Sequence, residues 1–239
     1  MKIGIYRHYK GNLYEVIDIA KHSETLEELV LYKALYENLE SKLWVRPKKM
    51  FFEVININGK EISRFKYEES IAQFLGDYES FFEKIMSNLS SKTINIDNYK
   101  ISHLGYKAKT LKEYVRVRDG VKKYSSKFIE NVHNGRPIAK LILKKPLKLG
   151  DNFSTPLIEV MPPKLGKQYP GGLEHLGVVL GENLDQFDEK YQKIITGKQN
   201  QSPSCKPSYI RFDDGLRVKF YKLSLRDHIE AEGVSFIDT

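Results

Sequence analysis

KISHLGY at residues 100–106 and LEHLGVVL at residues 173–180 are two strand-like runs, and each contains a histidine followed by Leu-Gly. A neutral imidazole is a common ligand for Zn, Fe, Ni and Cu, and sites for such divalent ions usually also need a carboxylate. His103 and His175 therefore make these two predicted strands the first candidates for carrying chemistry.

Three helices are predicted around these runs. Apolar residues recur at three- and four-residue steps over 78–89, which is typical of an amphipathic helix. A second helix is predicted over 111–132, with Thr110 as its N-cap and Asn134-Gly135 at its end. A third is predicted over 184–196.

The remaining apolar runs of this part predict strands. A hairpin is predicted over 94–108, and single strands at 138–143, 157–161, 173–180 and 216–221. The element order over 94–161 resembles that over 173–222. This order suggests two similar halves, without a repeat at the level of individual residues.

Glu159 is the natural carboxylate partner for the histidines. It interrupts the apolar strand Pro156-Leu-Ile-Glu-Val-Met161, so it either faces solvent or points at a group that compensates its charge. The three residues lie far apart in the sequence, unlike a local HxxxH signature. The residues alone therefore leave two alternatives, a His-Glu-His metal site or side chains that are simply hydrogen-bonded or exposed.

Composition excludes several classes of protein. The 239 residues are 41% hydrophobic and 29% charged, which favours a folded protein over a disordered chain. No run approaches the roughly 18 to 20 apolar residues of a membrane-spanning helix. The single cysteine, Cys205, excludes an intrachain disulfide and a Cys-based metal cage. We therefore expect a cytoplasmic protein without membrane contact.

The sequence predicts two domains, residues 1–67 and 68–239. The first reads as a small β-rich, barrel-like domain with apolar-alternating runs at 14–19, 30–36, 44–57 and 61–67. Asn58-Gly59, between the last two runs, is a strong signal for a two-residue hairpin. The second reads as an α+β domain, because its strands alternate with helices.

Basic and aromatic residues are mixed at the amino-terminal end, at Tyr6, Arg7, His8, Tyr9, Lys10, Trp44 and Arg46. Such a mixture can stack on bases and contact phosphates, but aromatic residues of a small core look the same in sequence. The formal net charge of +8 favours anionic partners in general.

Several motifs over roughly residues 75–230 resemble the YecM family of bacterial proteins. They are His103-Leu-Gly-Tyr106, Asn134-Gly-Arg-Pro-Ile138, Ile158-Glu-Val160 with Pro162-Pro163, and Gly166-Lys-Gln-Tyr-Pro-Gly-Gly-Leu-Glu-His175. That family belongs to the vicinal oxygen chelate superfamily. The resemblance implies a glyoxalase-like fold of paired βαβββ modules around a curved sheet, with a divalent metal ion at its centre.

The same resemblance implies His103, Glu159 and His175 as ligands of a Zn, Fe, Ni or Mn ion. Many enzymes of the superfamily take a fourth ligand, usually Glu, from the last strand, and Lys219 stands at that place here. A protonated lysine cannot ligate a cation. The site therefore has three ligands with open positions, borrows Tyr221, or holds no metal.

Basic and phenolic residues are the candidates for binding an anionic substrate beside the metal. They are Lys219, Arg136, Tyr169, Lys107 and Tyr221. Glu174 directly precedes His175 and should point to the opposite face of the sheet, so it is not placed in the site.

These features predict a divalent-metal-dependent enzyme of isomerase, lyase or dioxygenase type acting on a small oxygen-chelating metabolite, as a monomer or homodimer. The alternative is a non-catalytic metal- or small-ligand-binding protein whose basic amino-terminal module contacts nucleic acid or another anion. Most of residues 3–66 resembles a small uncharacterised bacterial domain, and no catalytic role comes with that resemblance.

Overall fold

The computed structural model describes residues 1–36, 39–133, 135–200, 202 and 205–239. The chain folds into two compact units, Met1–Gln73 and Phe74–Thr239, each with its own sheet. No helix within the described ranges is both long enough and apolar enough to cross a membrane.

The first unit is built mainly from strands. They are β1 (Gly4–His8), β2 (Leu13–Lys21), β3 (Glu28–Ala34), β4 (Trp44–Pro47), β5 (Val54–Ile57), β6 (Lys60–Ser63) and β7 (Phe65–Tyr67), with helices α1 (Lys48–Phe51) and α2 (Ala72–Leu75). Five strands form an antiparallel sheet in the order β4-β3-β2-β1-β7, and β5 pairs with β6 in a separate hairpin.

Two sequence predictions for this unit have different outcomes. The hairpin at Asn58-Gly59 is confirmed, because Ile57 pairs with Lys60 and both turn residues have positive φ, 52° and 80°. The barrel is wrong, since the sheet is open and its end strands β4 and β7 do not pair with each other. The run predicted over 44–57 is also interrupted, by α1 directly after Pro47.

Aromatic side chains make up most of the core of the first unit. The buried cluster is Tyr6, Val16, Val30, Tyr32, Phe51 and Phe65, with Trp44 packed against it. The rings of Phe51 and Phe65 are stacked with their centroids 4.0 Å apart. Tyr6 and Trp44, two candidates for stacking on bases, therefore contribute to the core.

The second unit contains a larger sheet with helices on it. Its strands are β8 (Lys100–Lys107), β9 (Ser125–His133), β10 (Arg136–Leu149), β11 (Phe153–Met161), β12 (Gly172–Val179), β13 (Gly197–Lys198), β14 (Ser208–Arg211), β15 (Arg217–Tyr221) and β16 (Ile237–Asp238). Its helices are α3 (Tyr78–Ser91), α4 (Leu111–Lys122), α5 (Leu184–Lys190) and α6 (Leu225–Ala231), and a short 3₁₀ helix covers Gly181–Asn183.

The sheet is formed by two βαβββ modules in one chain. Its order is β13-β14-β15-β12-β8-β11-β10-β9-β16, so the first strands of the two modules, β8 and β12, are central neighbours. They run antiparallel, and each runs parallel to the last strand of its own module, β11 or β15. The paired modules and the α+β class are therefore confirmed.

Helices contact both faces of this sheet. Tyr106 donates a hydrogen bond of 2.6 Å to Glu113 in α4. Side chains alternate along a strand, so α4 covers the face opposite His103. On the other face, Leu225 and Ile229 of α6 pack in a cluster with Leu157 and Ile142.

The helix predictions are confirmed in part. The first agrees with α3, and the second begins as predicted, with the Thr110 side chain accepting from the Glu113 N–H at 3.1 Å. It ends at Lys122 and not at residue 132, because residues 125–133 pair with β10 as strand β9. Pairing with a neighbouring strand overrides local helical periodicity there. Asn134 lies outside the described residues.

Two further elements are shorter than predicted. The hairpin over 94–108 is wrong in its first half, since residues 94–96 have no regular structure, residues 97–99 form a turn, and only β8 is a strand. Ile94 and Ile96 are nevertheless buried, which explains their strand-like apolar pattern. The helix predicted over 184–196 ends at Lys190.

The pairing of β8 with β12 places each histidine opposite a glycine of the other strand. His175 lies opposite Gly105, and His103 lies opposite Gly177. A Cβ atom at Gly105 would lie 2.0 Å from Cε1 of His175, and one at Gly177 would lie 2.4 Å from Cε1 of His103. The two glycines therefore provide the space that the two imidazole rings occupy.

We expect Gly177→Ala to lower the free energy of unfolding by about 1–3 kcal/mol, because the new methyl group overlaps the His103 ring in a packed interior. Urea denaturation measures the change. Gly197→Ala is the matched control, since Gly197 is also a strand residue but a Cβ there would be an ordinary 3.5 Å from Tyr209. Equal midpoints for the two variants would contradict the prediction.

Candidate metal centre

The three residues predicted as metal ligands come together on one face of the central sheet. His103 lies on β8, His175 on β12 and Glu159 on β11, where Glu159 is opposite Gly105. The relative exposure of the three residues is 0%, 0% and 5%. Nε2 of His103 lies 3.1 Å from Nε2 of His175, which lies 3.4 Å from Oε2 of Glu159. One ligand atom from each residue can be chosen so that all lie within 4.8 Å.

This arrangement fits a first-row divalent metal ion. Ligands about 2.1 Å from a common metal ion, at angles between 90° and 110°, lie about 3.0–3.4 Å from one another. The two measured separations fall in this range. Oε2 of Glu159 is buried and has no hydrogen-bond partner among the described residues. A buried carboxylate oxygen without a partner is costly unless a cation compensates it.

A β-bulge precedes each histidine and fixes its ring. Ser102 and Glu174 are the unpaired extra residues where the β8–β12 register shifts. Nδ1 of His103 lies 2.9 Å from Oγ of Ser102, and Nδ1 of His175 lies 3.3 Å from Oε2 of Glu174. An ionised carboxylate only accepts hydrogen bonds, so Nδ1 of His175 donates and Nε2 keeps its lone pair for a metal ion.

Glu174 therefore corrects a prediction from strand alternation. Alternation would place its side chain on the face opposite His175, but the bulge interrupts alternation at this residue. The Glu174 carboxylate also accepts a hydrogen bond of 3.0 Å from Lys107, and Arg217 lies 3.7 Å from it. These contacts hold it beside His175.

Burial and neighbouring charges favour the ligating forms of His103 and Glu159. Burial lowers the pKa of His103 well below its usual value, which keeps the imidazole neutral. Burial alone would raise the pKa of Glu159, but the contact with His175 and the charge of Lys219 together hold that pKa well below its usual value. Burial likewise opposes ionisation of Glu174, and His175 and Lys107 outweigh it, so the pKa of Glu174 is lowered.

Glu159 lines a cavity of about 160 Å³, whereas the rings of His103 and His175 are buried behind its wall. A cavity of this size holds a molecule of roughly six non-hydrogen atoms, by comparison with a 150 Å³ cavity that binds benzene. The cationic residues that line it are Lys107, Arg136, Lys140, Lys164, Arg217 and Lys219. The site therefore suits a small molecule with negative charge.

The predicted substrate-binding residues divide into two groups. Lys219, Arg136 and Lys107 line the cavity, although Arg136 donates a hydrogen bond of 3.1 Å to the Pro162 carbonyl. Tyr169 and Tyr221 are not among the lining residues.

Both tyrosines contact residues of the site from outside the cavity. The Tyr169 ring lies beneath the Lys107 ammonium, with the nitrogen 3.7 Å from the ring centroid. The Tyr221 ring packs edge-on against His103 with the centroids 5.4 Å apart. In these positions the two rings pack against Lys107 and His103, and their contact with a substrate stays a prediction.

Several lining residues were not identified as site residues from the sequence, and three of them are chemically relevant. Lys140 lies opposite Glu159 on β10, and only the strand register reveals this. His228 of α6 is buried, and burial lowers its pKa, so its neutral ring can accept a proton. Cys205 also lines the cavity, and burial and nearby Glu232 and Glu159 raise the pKa of its thiol to about 12. The thiol is therefore protonated at neutral pH and a weak nucleophile.

Two family models match the chain. Residues 4–67 match "Protein of unknown function (DUF1653)", and residues 70–232 match "YecM protein". An uncharacterised protein of Haemophilus influenzae is 29% identical over 114 residues, which cover 47% of this chain and 59% of that protein.

Two solved structures are similar to parts of the chain. A Bordetella bronchiseptica protein described as belonging to DUF1653 is 31% identical with a TM-score of 0.28, covering 28% of this chain and 87% of that one. A structural-genomics protein described as Protein EC4020 is 19% identical with a TM-score of 0.56, covering 68% of this chain and 93% of that one. The latter similarity supports the fold.

The YecM match covers more than half of the chain and includes His103, Glu159 and His175. The chain therefore belongs to the YecM family.

Proposed function

We propose that this protein is a divalent-metal-dependent enzyme that acts on a small oxygen-chelating metabolite, with His103, Glu159 and His175 as the metal ligands. The observation that carries the proposal is the buried cluster itself. The Nε2 atoms of the two histidines converge within metal-binding distances with Oε2 of Glu159, which has no hydrogen-bond partner among the described residues.

Three protein ligands leave coordination positions for substrate and water, which is the arrangement of catalytic rather than structural metal sites. Two histidines and one carboxylate suit Zn, Fe(II), Ni or Mn. When bound, such an ion supplies a Lewis acid that polarises a carbonyl or enediolate oxygen. Isomerase, lyase and dioxygenase chemistry all use this polarisation.

Residues of the chain supply the remaining functions of the site. Ser102 and Glu174 orient the two imidazole rings, and Leu225 and Ile229 of α6 contribute apolar side chains to the cavity lining. His228, on the same helix, is the candidate for accepting or returning a proton, because it lines the cavity in neutral form.

The competing function is non-catalytic binding of a metal or small ligand. Turnover distinguishes the two. Metal-loaded protein is incubated with small chelating metabolites, and products are followed by mass spectrometry. Conversion that is absent from the His175→Ala variant supports an enzyme, whereas binding without conversion of any tested compound supports a binding protein.

We expect protein purified without chelator or affinity metal to contain nearly one equivalent of a divalent metal, and the His103→Ala/His175→Ala double variant to lose it, because two of three ligands are gone. Elemental analysis by mass spectrometry measures the content. His133→Ala is the matched control, since it removes an imidazole from the same cavity but outside the cluster. Equal metal content in all three proteins would refute the ligand assignment, and no metal after reconstitution would refute the proposed function.

We expect Glu174→Gln to weaken metal binding about 10- to 100-fold, because an amide orients the His175 ring less strongly than a carboxylate does. Competition with a chromogenic chelator gives the dissociation constants. Glu182→Gln is the control, as Glu182 is exposed and pairs with Lys222 away from the cavity. Identical constants for the two variants would show that Glu174 does not support the metal site.

A further inference from the structure

We propose that Lys219 receives a carboxylate or phosphate group of the substrate, so that the substrate is a small oxyanion and not a neutral chelator. The identification of this anion as substrate rests on the proposed function. The anion-binding role of Lys219 rests on the chain itself.

Lys219 and Glu159 stand at corresponding positions in the two modules. Glu159, on the last strand of the first module, lies opposite Gly105, and Lys219, on the last strand of the second, lies opposite Gly177. The side chains at the two corresponding positions therefore have opposite charges. The His103 ring fills the space over Gly177, so Lys219 flanks the cluster on the side away from Glu159.

The Lys219 ammonium has no direct partner among the residues that the structure describes. The residue is 4% exposed, yet its Nζ makes no hydrogen bond there and no ion pair within 4.0 Å. Lys140, the other buried lysine of the cavity, differs because its Nζ donates to the Asn131 amide oxygen at 2.5 Å. Nζ of Lys219 is not among the fully buried atoms without a partner, so it keeps some contact with the cavity that Lys219 lines. An ammonium in such a largely buried position is poorly solvated unless an anion pairs with it. An oxyanion entering the cavity would supply the missing partner.

The net charge of the whole cavity also favours an anionic ligand. Six cationic side chains line it, against the three carboxylates of Glu159, Glu174 and Glu232. Glu174 is already engaged by Lys107, with Arg217 nearby, and Glu159 faces the histidine cluster. The cavity is therefore net positive even before a metal ion is counted, and it attracts anions.

Isothermal titration calorimetry at constant ionic strength tests this role with three probes: oxalate, inorganic phosphate and the neutral compound glycolamide. Each is titrated into chelator-treated and metal-loaded protein. We expect the parent to bind oxalate or phosphate more tightly than glycolamide. Lys219→Met should weaken that binding about tenfold or more, because a charge-assisted contact is lost.

Lys222→Met is the matched control, since Lys222 is exposed, pairs with Glu182 and is not among the residues that line the cavity. It should change binding by less than about twofold, as an exposed charge is screened by solvent. Lys219→Gln is tested in parallel and replaces Lys219→Met in the comparison if the methionine variant does not fold. Preference for oxalate assigns a carboxylate substrate, and preference for phosphate assigns a phosphorylated one.

Equal binding of both anions by the parent and the folded Lys219 variant would overturn the proposal, as would a parent that binds neither anion in either metal state. Metal content is measured on the same samples, which separates the two proposals. Anion binding that depends on Lys219, in a protein that takes up no metal even after reconstitution, would refute only the metal-dependent function. Normal metal content with anion binding independent of Lys219 would refute only the role of Lys219.

Discussion

The contact between each imidazole ring and a glycine on the neighbouring strand is the constraint on which the site depends. His103 and His175 could not both turn toward the same point if a side chain stood at Gly105 or Gly177, since a Cβ atom there would overlap a ring. The antiparallel register of β8 and β12 brings two His-Leu-Gly segments together, so that the glycine of each segment leaves space for the histidine ring of the other. The close approach of the two Nε2 atoms follows from this register.

The cluster also concentrates buried charge in a way that a stable core would avoid. Glu159, Lys140 and Lys219 are all nearly inaccessible to solvent. Removing ionised groups from water costs free energy that packing alone does not return. A metal ion at the histidines and an anion at Lys219 would each offset part of this cost, so ligands and folding stability are linked in this unit.

Much of the second unit could be predicted from its sequence, because its strands are strongly apolar and its helices have clear caps, as at Thr110. The convergence of His103, Glu159 and His175 could be expected only through the family resemblance, as the residues are far apart along the chain. Glu174 could not be placed, since a bulge cancels the alternation on which such a prediction relies. The local sequence of strand β9 predicts a helix, because pairing with β10 is a tertiary effect with no local signal.

The opposite charges of Glu159 and Lys219 make the two flanks of the histidine pair different. The two modules supply a nearly symmetric pair of histidines. By themselves, these histidines would not distinguish between the two ends of a bound chelating molecule. A carboxylate on one flank and an ammonium on the other remove that equivalence. Under the proposed function, a molecule with one anionic end would thus bind in a single preferred orientation across the histidine pair, and one change of charge between two related strands would make the reaction regioselective.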